Sequence, residues 1–160
     1  MKKALITYSL LLIALIGFTQ TPKKATQLYD DAIAYAKKTQ YTEAIATLQQ
    51  AIKIYPAYLD AKILIGELYF AQRKYNEAIP YFEAAKTDAQ TVYTDIQQNR
   101  LYWMLADCYY LAEQHDKAIA ISNLYLKQNK ISEFGKQKVN DIISKATFSI
   151  SAKKNPVAFN

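Results

Sequence analysis

A repeated pattern with a period of 34 residues runs through the middle of the chain and restricts the folds available to it. The string KYNEAIPYFEAAK (74–86) aligns with QYTEAIATLQQAIK (40–53) at this spacing. A third copy, HDKAIAISNLYLK (115–127), starts 40 residues after the equivalent point of the second copy, which places an insertion of six residues between them. A short fixed period of this kind is typical of proteins built from stacked copies of one supersecondary unit.

Each copy has the pattern of two antiparallel helices, with small residues where the helices cross and tyrosines beside them. Tyr55 precedes Pro56, which disfavours helix at that point and separates the first copy from the second. We predict seven helices in an antiparallel right-handed array, with no sheet. The predicted ranges are 25–38 and 41–54, 58–72 and 75–88, 92–113 and 115–128, and a closing helix at 132–148.

The closing helix is predicted from one N-cap and one apolar face. Ser132 is a suitable N-cap residue. The apolar face would bury the side chains that recur at helical spacing, and lysines would line the opposite face. The residues of this predicted apolar face are Phe134, Val139, Ile142, Ile143 and Ala146.

The recurring positions resemble those of the tetratricopeptide repeat family over about residues 25–130. Three sets carry the resemblance: a small residue in the first helix of each pair, an aromatic three residues later, and a small residue in the second helix. They are Ala32, Gly66 and Ala106; Tyr35, Tyr69 and Tyr109; and Ala44, Ala78 and Ala118. The resemblance implies an all-α fold, an α-solenoid of three helix pairs plus a C-terminal capping helix, which binds proteins through a concave groove.

Two features depart from the repeat. Pro80 lies inside the second helix of the second copy and is predicted to bend it near Asn76. In the third copy Ser122 stands where a large residue is expected and Tyr125 where a small one is expected. We interpret this as an exchange of packing volumes between the two positions.

The N-terminus has the pattern of a secretory signal peptide at residues 1–19. Lys2 and Lys3 precede the mostly apolar run ALITYSLLLIALIGF (4–18), which is shorter than the roughly 20 residues of a bilayer span. Small residues at Gly17 and Thr19 favour cleavage before Gln20. The alternative is an uncleaved anchor that tethers the protein to a membrane.

Charge and composition exclude several functions. Between residues 25 and 148 there are 14 acids, 12 lysines and two arginines, so the net charge is 12 + 2 − 14 = 0. A nucleic-acid-binding domain carries its basic excess on the folded surface, so we expect no nucleic acid partner. With one cysteine and one histidine, the chain cannot form an internal disulfide or a Cys/His zinc cluster, and we expect no cofactor and no metal.

Two side chains could in principle carry chemistry. His115 occupies the position that Tyr41 and Tyr75 hold in the earlier copies, so we interpret it as a packing residue at a helix start, with an enzyme that uses His115 as the alternative. Cys108 is interpreted as a small buried hydrophobe, since no cation is placed near it by spacing. We therefore predict no catalytic residue.

The remaining candidate site is the groove that the family resemblance implies along the first helix of each pair. Its predicted lining is aromatic and aliphatic with two acids: Tyr29, Ile33, Ile63, Glu67, Phe70, Trp103, Asp107 and Tyr110. Relatives that grip a C-terminal carboxylate use cations at such places, and the predicted lining has none. The groove therefore suits an apolar or basic segment of a partner, with Trp103 as the anchor. Some of these residues could instead pack beneath the closing helix.

Residues 149–160 are predicted to be a tail or linker after the domain at 25–148. The string Asn155 to Phe159, NPVAF, resembles a linker in Bacteroidota envelope proteins. These proteins join a short repeat domain to WD40-like and OmpA-like domains, and some serve type IX secretion. The resemblance implies an exported interaction scaffold of the periplasm or outer membrane, with other envelope proteins as partners. We expect the chain to be the front of a longer protein or a truncated relative, and its oligomeric state is left open.

Overall fold

The computed structural model describes residues 21–89, 95–128 and 130–155, and these ranges contain seven α-helices and no strand. The all-α prediction and the helix pairing of the repeats are confirmed. The predicted signal peptide and residues 156–160 lie outside these ranges, as does the predicted start of the fifth helix at residue 92. The helices are α1 (Lys23–Lys37), α2 (Tyr41–Ile54), α3 (Leu59–Ala71), α4 (Tyr75–Ala89), α5 (Asp95–Leu111), α6 (His115–Leu126) and α7 (Glu133–Lys154).

The chain divides into two compact units after Tyr58. In the first unit α1 packs on α2, and the core consists of residues with little or no exposed surface. The ring of Tyr58, after the end of α2, lies 5.3 Å from the ring of Tyr29 on α1. The buried core residues of the two helices are Ala25, Leu28, Ala32, Ala44, Ile45, Leu48 and Ala51.

The same turn ends the first helix of every pair. Thr39, Arg73 and Glu113 occupy it with φ values of 59°, 59° and 58°. The amide of the following residue donates to the carbonyl of the repeated tyrosine, from Gln40 to Tyr35 at 3.0 Å and in the same way at Tyr69 and Tyr109. This is a helix C-cap with a left-handed residue, a conformation that glycine adopts without steric cost.

Replacing Thr39 by Gly should therefore stabilise the first unit, because Thr39 is β-branched and left-handed. We expect a gain of about 0.5–1 kcal/mol in the free energy of unfolding. Thr39→Ala is the matched control, since it keeps the Cβ atom and should gain much less. Chemical denaturation of both variants checks this, and equal stabilities would show that the left-handed turn carries no strain.

In the second unit α3 packs on α4, α4 on α5, α5 on α6, and α7 on both α5 and α6. The crossing of α3 and α4 depends on Gly66. A Cβ atom at this position would lie 2.7 Å from Cε1 of Phe82, whose side chain is fully buried. Only the absence of a side chain lets the phenylalanine ring approach the α3 backbone this closely.

The helix α4 runs from Tyr75 to Ala89 with Pro80 inside it. Pro80 is exposed, so its missing amide donor falls on the solvent side of the helix.

The packing of α7 explains why the third copy has a small residue at Ser122 and a large one at Tyr125. Both side chains are fully buried, and the tip of the Tyr125 ring lies against Gly135, where a Cβ atom would overlap the Tyr125 oxygen. Ser132 caps α7 as predicted, because its Oγ accepts a hydrogen bond of 3.0 Å from the Gly135 amide. The small partner of Tyr125 is thus a glycine in the first turn of the closing helix.

Two details of the predicted closing helix are wrong. The helix ends at Lys154 and not at residue 148, so six residues of the predicted tail are helical. Phe134 is 61% exposed and does not join the buried face with Val139, Ile142 and Ala146. The backbone of Gly135 lies against the Tyr125 ring. Successive residues of an α-helix are rotated by about 100°, so the Phe134 side chain is directed away from this contact.

Substituting Gly66 by Ala should destabilise the protein, although Ala favours helix, because the new methyl group would overlap the Phe82 ring. We expect a loss of about 1–3 kcal/mol in the free energy of unfolding. Adding Phe82→Leu should recover part of this loss, so that the double variant is more stable than the two single losses predict. Strictly additive losses in urea denaturation would mean that the two residues do not restrict each other.

Candidate functional site

All eight residues of the predicted groove are half-buried, and they lie on the first helices of the pairs. Tyr29 and Ile33 belong to α1 in the first unit. The other six belong to α3 and α5 in the second unit: Ile63, Glu67, Phe70, Trp103, Asp107 and Tyr110.

Glu67 is paired with a cation that the sequence analysis did not assign to the site. The Arg100 guanidinium, on α5, lies 2.6 Å from Oε1 of Glu67, but the geometry of this ion pair is not that of an aligned hydrogen bond. Burial raises the pKa of the Glu67 carboxyl above its usual value, and the charge of Arg100 lowers it by less. The Arg100 side chain is 62% exposed, so solvent screens its charge.

Asp107 occupies the position in α5 that Glu67 holds in α3, and it faces charged groups of α7. Burial raises the pKa of the Asp107 carboxyl, while Lys138 and Lys145 lower it and Asp141 raises it. Lys145 itself donates to Asp141 at 2.6 Å. The eight predicted residues contain no cation, but Arg100 and the α7 lysines lie beside the two acids among them.

Trp103 is half-buried at the contact between α5 and α7. Its ring stands edge-to-face with the ring of Phe134, with the centroids 6.2 Å apart, and the Lys138 ammonium lies 6.0 Å from its centroid. A pocket of about 420 Å³ opens beside these rings, between α5 and the start of α7. The closing helix thus covers part of Trp103 and leaves one side of the indole at a cavity. The pocket is lined by Asn99, Arg100, Trp103, Lys130, Ile131, Ser132 and Phe134.

The other two aromatic residues of the predicted groove in the second unit each pack on the first residue of the next helix. The Phe70 ring lies 5.5 Å from the Tyr75 ring, and the Tyr110 ring lies 5.6 Å from the His115 ring. His115 is buried at the start of α6, and its Nδ1 has no hydrogen-bond partner among the described residues. His115 is therefore packed at the position equivalent to that of Tyr75, the first residue of α4.

Cys108 is fully buried in α5. Burial and the neighbouring charge of Asp107 raise the pKa of its thiol to about 12. The thiol is therefore neutral at physiological pH, whereas a nucleophilic cysteine acts as the thiolate.

In the part of the chain that the structure describes, no three His, Cys, Asp or Glu side chains are grouped so as to hold a metal ion. None of the helices described is both long enough and apolar enough to cross a membrane.

Known proteins of the same architecture confirm the repeat. Residues 29–92 match the tetratricopeptide repeat family. Among solved structures, the N-terminal domain of stress-induced protein-1 (STI-1) from C. elegans is similar with a TM-score of 0.67 and 16% identity, covering 74% of this chain and 93% of that domain. The fold is therefore that of tetratricopeptide repeat domains. No curated protein sequence matches the chain significantly.

Two further structures of this fold contain bound partners. The first TPR of Spaghetti (RPAP3), bound to the HSP90 peptide SRMEEVD, is similar with a TM-score of 0.62 and 15% identity, covering 81% of this chain and 94% of that one. The TPR2B-domain:pHsp70-complex of yeast Sti1 is similar with a TM-score of 0.64 and 15% identity, covering 80% and 99%.

The raised pKa of Glu67 predicts how stability depends on pH. The folded protein binds the Glu67 proton more tightly than the unfolded chain does. Its contribution to stability is therefore present below the usual carboxyl pKa and is lost as the pH rises through the raised value. Glu67→Gln has no carboxyl at this position and does not lose this contribution. Its melting temperature should therefore rise relative to that of the wild type as the pH rises to neutrality.

Thermal melts of both proteins between acid and neutral pH check this prediction, with Glu43→Gln as the control at an exposed carboxylate. If the melting temperature of Glu67→Gln instead falls relative to that of the wild type as the pH rises, the ion pair with Arg100 outweighs the cost of burial.

Proposed function

We propose that this protein is a protein-binding scaffold that holds an apolar segment of a partner against α3 and α5, the first helices of its second and third pairs. The observation that carries the proposal is Trp103: it is half-buried, edge-on to Phe134 and open to a cavity of about 420 Å³. Cavities of this size accept a large side chain, and a partly exposed tryptophan is a frequent anchor of interfaces.

The related structures support a binding role for this fold. The RPAP3 domain holds an HSP90 peptide, and the yeast Sti1 domain is in complex with pHsp70. By analogy, the partner of this chain would contribute a short segment rather than a large flat surface. A scaffold of this kind needs no catalytic group.

The charges favour an apolar segment over a basic one. Glu67 and Asp107 favour a cationic neighbour, but Arg100 and the lysines of α7 already supply it. A partner cation would have to displace Arg100 from Glu67 and would gain little free energy in exchange. The aromatic surface of Trp103 and Phe70 needs no such exchange.

We further propose that the scaffold is exported and works in the bacterial cell envelope, in the periplasm or at the outer membrane. The support is the sequence pattern of residues 1–19, together with the resemblance of residues 155–159 to an envelope linker. The alternative is an adaptor tethered by an uncleaved N-terminal segment. N-terminal sequencing of the native protein separates the two: a start at Gln20 supports cleavage, and a start at Met1 supports the tether.

Replacing Trp103 by Ala should weaken partner binding by about 2 kcal/mol or more, as truncation of a hot-spot aromatic does. The cost to folding should stay below the roughly 3–5 kcal/mol of a fully buried aromatic, because Trp103 is only half-buried. The partner is first captured from source cells with the wild-type protein and identified, and each variant is then melted and titrated with it.

The matched control is Leu124→Ala, a partly exposed leucine on α6, outside the predicted groove. It should bind as the wild type does. If Trp103→Ala unfolds the protein, or binds the partner normally, the site assignment is wrong.

A further inference from the structure

The pocket beside Trp103 contains a buried polar group that the proposed function does not use. Asn99, on α5, is 9% exposed and lines this pocket. A buried amide is stable only when its polar atoms have hydrogen-bond partners, or when an occupant of the site supplies them. The two ends of the Asn99 amide therefore restrict what the pocket can hold.

One end of the Asn99 amide is already bonded. Its Nδ2 donates to the carbonyl of Lys130, in the segment between α6 and α7. A carbonyl only accepts, so this bond determines which end of the amide is the nitrogen and which is the oxygen. Among the described residues, nothing donates to the Asn99 Oδ1 atom. The pocket thus has an acceptor of fixed orientation for a donor on an occupant.

Two donors line the same pocket, on the side chains of Arg100 and Ser132. The Arg100 guanidinium has five N–H groups, and the ion pair with Glu67 engages only some of them. The Ser132 oxygen accepts from the Gly135 amide, and the hydroxyl keeps its own hydrogen for donation. An occupant whose polar group both donates and accepts therefore matches the pocket.

The other walls of the pocket are apolar and mostly aromatic. The rings of Trp103 and Phe134 stand edge-to-face with their centroids 6.2 Å apart, and Ile131 lines the same cavity. A further ring can pack on this pair in an offset or edge-on geometry that an aliphatic side chain does not reproduce. The volume of about 420 Å³ is near the small end of ligand sites and suits a single ring.

We propose that the pocket binds a tyrosine side chain in the partner's segment. The ring packs against Trp103 and Phe134, and the hydroxyl donates to Oδ1 of Asn99. Phenylalanine has no donor for this atom, and tryptophan has no acceptor for Arg100 or Ser132, whereas the phenol of tyrosine has both. This inference rests on the proposed function, because it names the residue type by which the apolar segment is recognised.

Three neutral probes test the proposal: N-acetyl-tyrosinamide, N-acetyl-O-methyltyrosinamide and N-acetyl-phenylalaninamide. The chain has one tryptophan, so the indole N–H resonance of Trp103 reports occupation of the pocket in proton–nitrogen correlation NMR titrations. The O-methyl group removes the donor of the phenol and keeps its oxygen. We expect the tyrosine amide to bind about fivefold or more tightly than either other probe, because it alone donates to Asn99.

Asn99→Leu removes the acceptor and should bring the affinities for the tyrosine and phenylalanine amides close together. Binding of the phenylalanine amide to this variant verifies that the pocket persists. The matched control is Asn140→Leu, at an exposed asparagine of α7, which should keep the wild-type ratio of affinities. If Asn99→Leu does not fold, because its bond to Lys130 is lost, the comparison of the tyrosine and O-methyltyrosine amides on the wild type decides.

Four results overturn the proposal: equal affinity for the tyrosine and phenylalanine amides, equal affinity for the tyrosine and O-methyltyrosine amides, an unchanged ratio in folded Asn99→Leu, or a Trp103 resonance that no probe moves. The proposed function survives each of them if the captured partner still loses affinity for Trp103→Ala. If the captured partner binds Trp103→Ala normally, the proposed function fails, and the assignment of a partner tyrosine to this pocket fails with it.

Discussion

The close approach of the Phe82 ring to the backbone of Gly66 is the contact on which the second unit depends. A helix pair can bury its apolar side only if one helix offers a gap where the other offers a large side chain. Here the gap is a glycine and the insert is a fully buried phenylalanine, with 2.7 Å between the ring and the place of a Cβ atom. This contact fixes the separation of α3 and α4, and α5 then packs on α4.

The third pair meets the same requirement in another way, and its solution shapes the site. Its second helix has Ser122 where the other pairs have a large residue, and its large buried side chain is Tyr125. The gap that accommodates the Tyr125 ring must therefore be provided by another helix. Gly135 supplies it in the first turn of α7. Docking α7 by this turn places Phe134 against Trp103 and Lys138 over the indole. The packing of a repeat and the surface offered to partners are thereby linked.

The sequence predicted the helices well and the site less well, for physical reasons. Recurring small residues and tyrosines mark the crossings and turns, so α1 to α4 and α6 begin and end within two residues of their predicted positions. The periodicity of 132–148 could not show that Gly135, and not Phe134, would face the core, because that depends on the Tyr125 ring. Nor could spacing along one helix reveal the pair of Glu67 with Arg100, which joins two helices. The assignment of the eight groove residues stays a prediction.

Proton NMR of the folded protein tests the role of the glycine contacts most directly. If the crossings are formed as described, the α-protons of Gly66 show strong nuclear Overhauser effects to the Phe82 ring, and those of Gly135 show them to the Tyr125 ring. The α-protons of Gly66 should also be shifted by the ring current of Phe82. A spectrum with helical backbone shifts throughout but without these two sets of cross-peaks would contradict the account, since the helices would then form without the contacts said to arrange them.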